Sequence, residues 1–172
     1  MKPALTALAA GVLLPLSMAP FGLWFLGPLS PALWFLALRE ERGRGLLNGW
    51  LYGLGSYGVG VSWVYVSIHD HGGAPPALAA TLILIFASGM ALFPTVQGYL
   101  FRRLAGARPG AGAGSAAPPA PLQAAWFAVL FITFEWLLGW VLTGFPWLAA
   151  GYGQLDAPLA AFAPLGGVSL VS

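Results

Sequence analysis

Glu135 is the residue of this chain best placed to do chemistry, because it sits inside a long apolar stretch, residues 122–142. An ionisable side chain in hydrocarbon costs at least a few kcal/mol, so it is kept where it has a partner or a task. No Lys or Arg lies within one helical turn of it. Helical rise to Leu142 places the carboxyl about 10 Å below the end of the stretch. Two readings stay open: a protonated or hydrogen-bonded acid that bridges helices through Trp, Thr or Ser, and a functional acid. The run Gly139-Trp140-Val141-Leu142-Thr143-Gly144-Phe145-Pro146-Trp147-Leu148 follows at once. Pro146 has no amide to donate and restricts Phe145, so the helix ends here. Trp140 and Trp147 flank that end, as amphipathic rings do at a membrane surface.

The other polar clusters carry less. Ser62-Trp63-Val64-Tyr65-Val66-Ser67-Ile68-His69-Asp70-His71-Gly72-Gly73 contains an aromatic pair and a His-Asp-His triplet. Trp63 and Tyr65 read as interfacial aromatics or as the mouth of a site. Three adjacent loop residues do not converge on a metal without a fourth ligand, so no metal site is expected. Tyr152, Gln154 and Asp156 extend a polar outer loop that caps the helices or packs beneath a further domain. No Ser/His/Asp arrangement, carboxylate pair or phosphate-cradling glycine loop is found, and no cofactor is expected. The chain has no cysteine, which removes disulfides, thiolate ligands and a cysteine nucleophile within these residues.

The elements that position these residues are membrane helices. Of 172 residues, 59% are hydrophobic and only 7% charged, against about 25% charged in soluble domains. The 24 Gly, 15 Pro and 8 Trp fit a polytopic membrane protein. A sequence pI near 9.3 does not imply nucleic-acid binding, because no basic stripe alternates with exposed aromatics. A span needs about 20 apolar residues to cross about 30 Å of hydrocarbon. The expected fold is therefore all-α, with five complete transmembrane helices at about 4–19, 23–38, 46–68, 77–100 and 122–142. A sixth apolar stretch opens at about 158 and is still running at Ser172, which reads as an N-terminal fragment of a longer protein. Pro15 is expected to kink the first span. A secretory signal is disfavoured, since Pro20 would follow the Ser17-Met18-Ala19 cleavage site.

All seven cations lie in alternate connections: Lys2, then Arg39, Arg42 and Arg44, then Arg102, Arg103 and Arg108. The positive-inside rule assigns that side, and the N-terminus, to the cytosol. Residues 108–121 are Gly/Ala/Pro/Ser-rich without large apolar side chains and are expected to form a flexible cytosolic loop. Gly49, Gly53, Gly55, Gly58 and Gly60 crowd the third span, and small residues one turn apart let a neighbouring backbone approach. The same glycines would also suit a groove for a lipid chain.

In order and spacing, several strings resemble the apolipoprotein N-acyltransferase family. They are Ala19-Pro20-Phe21, Gly60-Val61-Ser62-Trp63-Val64-Tyr65-Val66-Ser67-Ile68, Glu135-Trp136 and the Gly139–Leu148 run. Gly151-Tyr152-Gly153-Gln154-Leu155-Asp156-Ala157-Pro158-Leu159 and Ala163-Pro164-Leu165-Gly166-Gly167-Val168 complete the set. The match covers nearly the whole chain outside the low-complexity loop. The Trp-Val-Tyr-Val-Ser and Leu-Thr-Gly-Phe-Pro-Trp strings in this order are its most specific part.

The resemblance implies eight spans in the bacterial inner membrane and a nitrilase-like α/β domain on the periplasmic side, which is absent from these residues. It implies transfer of an acyl chain from a membrane phospholipid to the N-terminal amine of a diacylated apolipoprotein. The reaction passes through a thioester on a catalytic cysteine, with a glutamate base and a lysine at the oxyanion. None of that trio can be placed here, so no catalytic residue is assigned and this chain alone is expected to be inactive. Trp63, Tyr65, Glu135, Trp140, Gly144, Phe145, Pro146 and Trp147 become candidates for the substrate and lipid cavity. The chain departs from the family at Leu138, where an arginine is common three residues after the membrane glutamate. That favours a hydrogen-bonded acid over a Glu–Arg pair. Two alternatives compete: a small proton- or ion-coupled transporter using Glu135, and a non-catalytic scaffold for partner helices. The first predicts an inverted repeat, and no convincing internal duplication is found. The sequence does not set the oligomeric state.

Overall fold

The computed structural model describes residues 3–40, 44–105 and 118–172, all of them helical, turn or irregular, with no strand among them. The helices are α1 (Pro3–Leu16), α2 (Leu26–Glu40), α3 (Gly45–Gly60), α4 (Trp63–Val66), α5 (Pro76–Met90), α6 (Leu92–Ala105) and α7 (Ala120–Leu138). A π-helical turn, Ser67–His71, continues α4. Short 3-10 turns and the four-residue helices α8 (Ala163–Gly166) and α9 (Val168–Val171) follow α7.

Pro15 and Pro94 mark where helices end or break. Pro15 lies in the last turn of α1 and ends it rather than kinking its middle. Having no N–H, it cannot donate to the Gly11 carbonyl; Ser56 Oγ of α3 shares its proton between that carbonyl, at 3.2 Å, and the Tyr52 carbonyl of its own helix, at 3.0 Å. Pro94 likewise cannot donate to the carbonyl of Met90, and the helix from Pro76 to Ala105 is interrupted at Ala91, between α5 and α6. Thr95 Oγ1 donates to the Ala91 carbonyl at 2.7 Å across the break.

α3 is the centre of the bundle, packed on α1 along one side and α6 along the other. Its glycines make both approaches. A Cβ on Gly55 would run into the Leu8 carbonyl and lie 2.9 Å from the Val12 amide nitrogen, both backbone atoms of α1. A Cβ on Gly53 would lie 2.6 Å from Ala91 Cα at the head of α6. Gly58 has nothing within 4 Å and faces outward. Close packing is therefore the role of Gly53 and Gly55, as small-residue seams provide in membranes. At the centre Trp34 of α2 is fully buried, stacked on Tyr52 with ring centroids 4.1 Å apart and edge-on to Phe127 of α7 at 5.4 Å. Ser30 Oγ donates to the Ala10 carbonyl at 2.7 Å and ties α2 to α1.

Two helical segments are long and apolar enough to cross a membrane, Pro76–Ala105 with 30 residues and Ala120–Leu138 with 19. Only 22% of the most apolar window of each is buried in the fold, so their apolar surface faces outward rather than into a core. The first three helices run shorter than expected: α1, α2 and α3 have 14, 15 and 16 residues, about 21–24 Å of rise against about 30 Å of hydrocarbon. The region 46–68 continues helically through α4 and the π turn after a break at Val61–Ser62. The fifth helix ends at Leu138 rather than 142. Over 158–172 the chain makes short turns in place of one continuous helix, divided at Gly167, whose φ is +69°. Most of the loop expected at 108–121 lies outside the described residues; its last two, Ala120 and Pro121, already belong to α7.

The charged ends gather. Arg39 closes α2, Arg44 precedes α3, and Arg102 and Arg103 lie in the last turn of α6. Arg39 Nε donates to Gln123 Oε1 of α7 at 3.0 Å, and Arg102 donates to the Leu38 carbonyl at 3.2 Å. The described arginines thus lie at one end of the bundle, opposite the end where α7 leads into the Gly139–Leu148 run.

Candidate functional site

That opposite end is closed by the irregular segment after α7. Gly139 ends the helix, and the chain turns back so that the Phe145 amide donates to the Leu138 carbonyl at 2.7 Å. The reversal uses two consecutive residues in left-handed backbone, Thr143 at φ +75° and Gly144 at φ +84°. For β-branched Thr143 this conformation is strained. A Cβ on Gly144 would collide with the Gly139 carbonyl, so the glycine of the Thr-Gly pair is a backbone requirement, whereas the threonine is not. Pro146–Leu148 then form a 3-10 turn that sends Leu148 inward, 8% exposed, against Tyr57, Val61, Ala87 and Leu138.

Glu135 fastens this segment. The Ala150 amide donates to Glu135 Oε1 at 2.7 Å, and the Ser172 side chain lies beside the same carboxyl, so a backbone amide and a serine hold it, and neither Trp nor Thr does. The carboxyl is in the last turn of α7, three residues before its end at Leu138, which is closer to the rim than the expected 10 Å. Its other oxygen, Oε2, is buried without a hydrogen-bond partner among the described residues. Further along, Gln154, expected in a polar outer loop, is 3% exposed. Its Nε2 donates to the Trp24 carbonyl at 3.0 Å, so the loop caps the bundle between α1 and α2.

The candidates separate into groups. Trp63, Phe145 and Trp147 come together, with ring centroids 6.2 Å apart for Trp63–Trp147 and 6.5 Å for Phe145–Trp147. Phe86 and Tyr57 extend the cluster through Phe145, at 5.2 and 6.4 Å. Trp63 and Trp147 remain 53% and 64% exposed, so the cluster presents an aromatic rim. Tyr65 lies apart, 5.4 Å from the His69 ring, and Trp140 pairs with Trp136 at 6.1 Å. The imidazoles of His69 and His71 are taken up within their own turn, by the carbonyls of Ala74 at 2.7 Å and Val66 at 3.3 Å. Pro146 and Glu135 meet across a cavity of about 50 Å³, whose wall also includes Tyr57, Phe93, Gln97 and Leu148.

Sequence reasoning passed over Tyr57, Phe86 and Gln97. For Gln97 a signal existed: an amide inside the apolar stretch 77–100 needs a partner as much as a carboxyl does. For Tyr57 and Phe86 there was none, because only the fold brings α3 and α5 beside Phe145.

Residues 10–172 match the family described as apolipoprotein N-acyltransferase N-terminal domain. The apolipoprotein N-acyltransferase of Azotobacter vinelandii is 50% identical over 169 residues, covering 98% of this chain and 31% of that protein. That of Pseudomonas syringae pv. tomato is 48% identical, covering 98% of this chain and 32% of its own length. The Vibrio cholerae protein of the same name is 40% identical over 100% of this chain and 32% of its own length. The chain therefore spans about a third of the length of these curated relatives.

Proposed function

This chain belongs to the apolipoprotein N-acyltransferase N-terminal domain family, and on that premise we propose that it forms the membrane portion of such an acyltransferase. The enzyme moves an acyl chain from a phospholipid to the N-terminal amine of a diacylglyceryl-cysteine lipoprotein. The observation that carries the reading is the family match over residues 10–172. In this reading α1, α2, α3 with α4, α5 with α6, and α7 each cross the bacterial inner membrane, with the arginine end in the cytosol and the aromatic rim toward the periplasm. The gathering of Arg39, Arg44, Arg102 and Arg103 at one end supports that orientation.

Within this arrangement Trp63, Phe145 and Trp147 form the lipid-contacting edge of the substrate cavity. Gly144 and Pro146 shape that edge, Glu135 holds it to α7, and Tyr65 and Trp140 anchor the flanks in the interface. The nucleophile, base and oxyanion group come from elsewhere in the enzyme, since these residues contain no cysteine. This chain alone transfers no acyl group. A proton- or ion-coupled transporter using Glu135 gains no support from the family match.

The test is a chimera in which this chain replaces the matching third of the Azotobacter vinelandii protein. Proteoliposomes with labelled phospholipid and a diacylglyceryl-cysteine peptide report acyl transfer. The expected result is transfer by the chimera and none by this chain alone. A folded but inert chimera, beside an active parent, overturns the assignment; turnover by the isolated chain overturns its predicted inactivity.

A further inference from the structure

The cavity beneath the Pro146–Leu148 turn brings together unpartnered polar groups from two helices among the described residues. Gln97 of α6 is 3% exposed, and its Nε2 has no hydrogen-bond partner among the described residues. Glu135 Oε2 of α7 shares that condition, and both residues line the same cavity of about 50 Å³. A buried donor or acceptor left without a partner costs about 1–3 kcal/mol, so two around one cavity are a strong demand for a ligand. The demand is for a small group able both to accept from an amide and to donate to a carboxyl oxygen. Water does both, needs about 10–15 Å³ of such space per molecule, and enters cavities that offer polar partners. The remaining wall adds the hydroxyl-bearing Tyr52, Ser56 and Tyr57 to apolar side chains such as Phe93, Phe131 and Leu148, and it offers no cationic side chain to an anionic ligand.

We propose that this cavity is an internal hydration site in which water joins the Gln97 amide of α6 to the Glu135 carboxyl of α7. The consequence is mechanical. Glu135 Oε1 holds the loop through Ala150, so water on Oε2 lets α6 share in fixing the direction of that carboxyl. Gln97 is then a positioning residue for the aromatic rim, acting through Glu135 without touching the loop's polar backbone. The inference stands apart from the acyltransferase reading, because it concerns how the loop is held and not what the enzyme transfers.

Two measurements on the full chain in lipid nanodiscs decide it. With the Gln97 side chain isotopically labelled, magnetisation transfer from water to its Nε2 protons is expected, since that atom is out of reach of bulk solvent. Absence of transfer in the folded wild type overturns the proposal. The chain has no native cysteine, so Ala149→Cys, on the cavity wall, gives a clean maleimide reporter of loop opening. Gln97→Met is expected to raise its labelling rate about 3- to 10-fold, the factor expected for loss of one net hydrogen bond. Glu135→Leu is expected to raise it further, and the double variant to label no faster than Glu135→Leu alone. No effect of Gln97→Met, or effects that multiply in the double variant, refutes the shared water link. Should Gln97→Met fail to fold, the wild-type transfer measurement stands as the deciding result.

Discussion

Gly55→Ala places a methyl group where α3 meets the backbone of α1, and its cost follows from which atoms it meets. The new Cβ would press on the Leu8 carbonyl and lie 2.9 Å from the Val12 nitrogen and 3.2 Å from the Gly11 carbonyl carbon. None of these is a side chain that can rotate away, so α1 must move outward by about 0.5–1 Å to restore ordinary contact near 3.4 Å. Overpacking of this kind costs about 1–3 kcal/mol. The shift also stretches the Ser56–Gly11 hydrogen bond, already 3.2 Å, a contact worth about 1 kcal/mol. Against this, alanine in a helix interior recovers about 0.5–1 kcal/mol of backbone entropy. The net expectation is a loss of about 1–3 kcal/mol. Gly58 in the same helix has open space around its Cβ, so Gly58→Ala keeps only the entropic gain and should stabilise by about 0.5–1 kcal/mol. Equilibrium unfolding in bicelles, read by steric trapping, measures both variants on one scale. Their separation should be about 2–4 kcal/mol. Equal stabilities for the two alanine variants would show that α1 and α3 are not in backbone contact at Gly55.

The loop fastening makes a paired prediction. Glu135→Gln keeps an oxygen for the Ala150 amide and should change stability by less than about 1 kcal/mol, whereas Glu135→Ala orphans that amide and should cost about 1–3 kcal/mol. Hydrogen exchange at Ala150 checks this directly, since protection should survive in the first variant and disappear in the second. The reversal after α7 offers opposite signs at neighbouring positions. Thr143→Gly should stabilise by about 1 kcal/mol by relieving left-handed strain, and Gly144→Ala should destabilise and free the Phe145 amide; thermal unfolding with exchange at Phe145 reads both. Trp34→Ala empties the middle of the bundle and should cost about 3–5 kcal/mol; a loss under 1 kcal/mol in the unfolding assay would contradict its central packing.

What could be read in advance depended on whether the signal was local. Arginine placement, the apolar stretches and the break at Pro146 are local, and the structure gathers the described arginines at one end of the bundle. Helix lengths were harder to read, because hydropathy does not register where a carbonyl loses its donor. Pro15 and Gly139 end helices inside stretches whose apolar character continues. The aromatic rim was half visible: Trp63, Phe145 and Trp147 stood out in their strings, while Phe86 joins them only because α5 lies alongside. The partner of Glu135 was not legible, since a backbone amide carries no mark of its own in a sequence. Gln154 looked like a solvated loop residue and is instead buried, because the turns Ala150–Gln154 pack into the gap between α1 and α2.

The Gln154–Trp24 hydrogen bond spans 130 residues, and that separation sets an order of events during synthesis. Ser30 and Ser56 reach their α1 partners across 20 and 45 residues, so α1, α2 and α3 can settle on one another while later helices are still being made. The cap has to await the last part of this chain, because its partner, the α1–α2 turn, lies near the beginning. Long-range closures of this kind are slow steps in assembly. The rim is therefore finished only after the bundle beneath it is built, and a nascent chain halted before Ala150 would present its outer end uncovered to whatever meets it at the membrane surface.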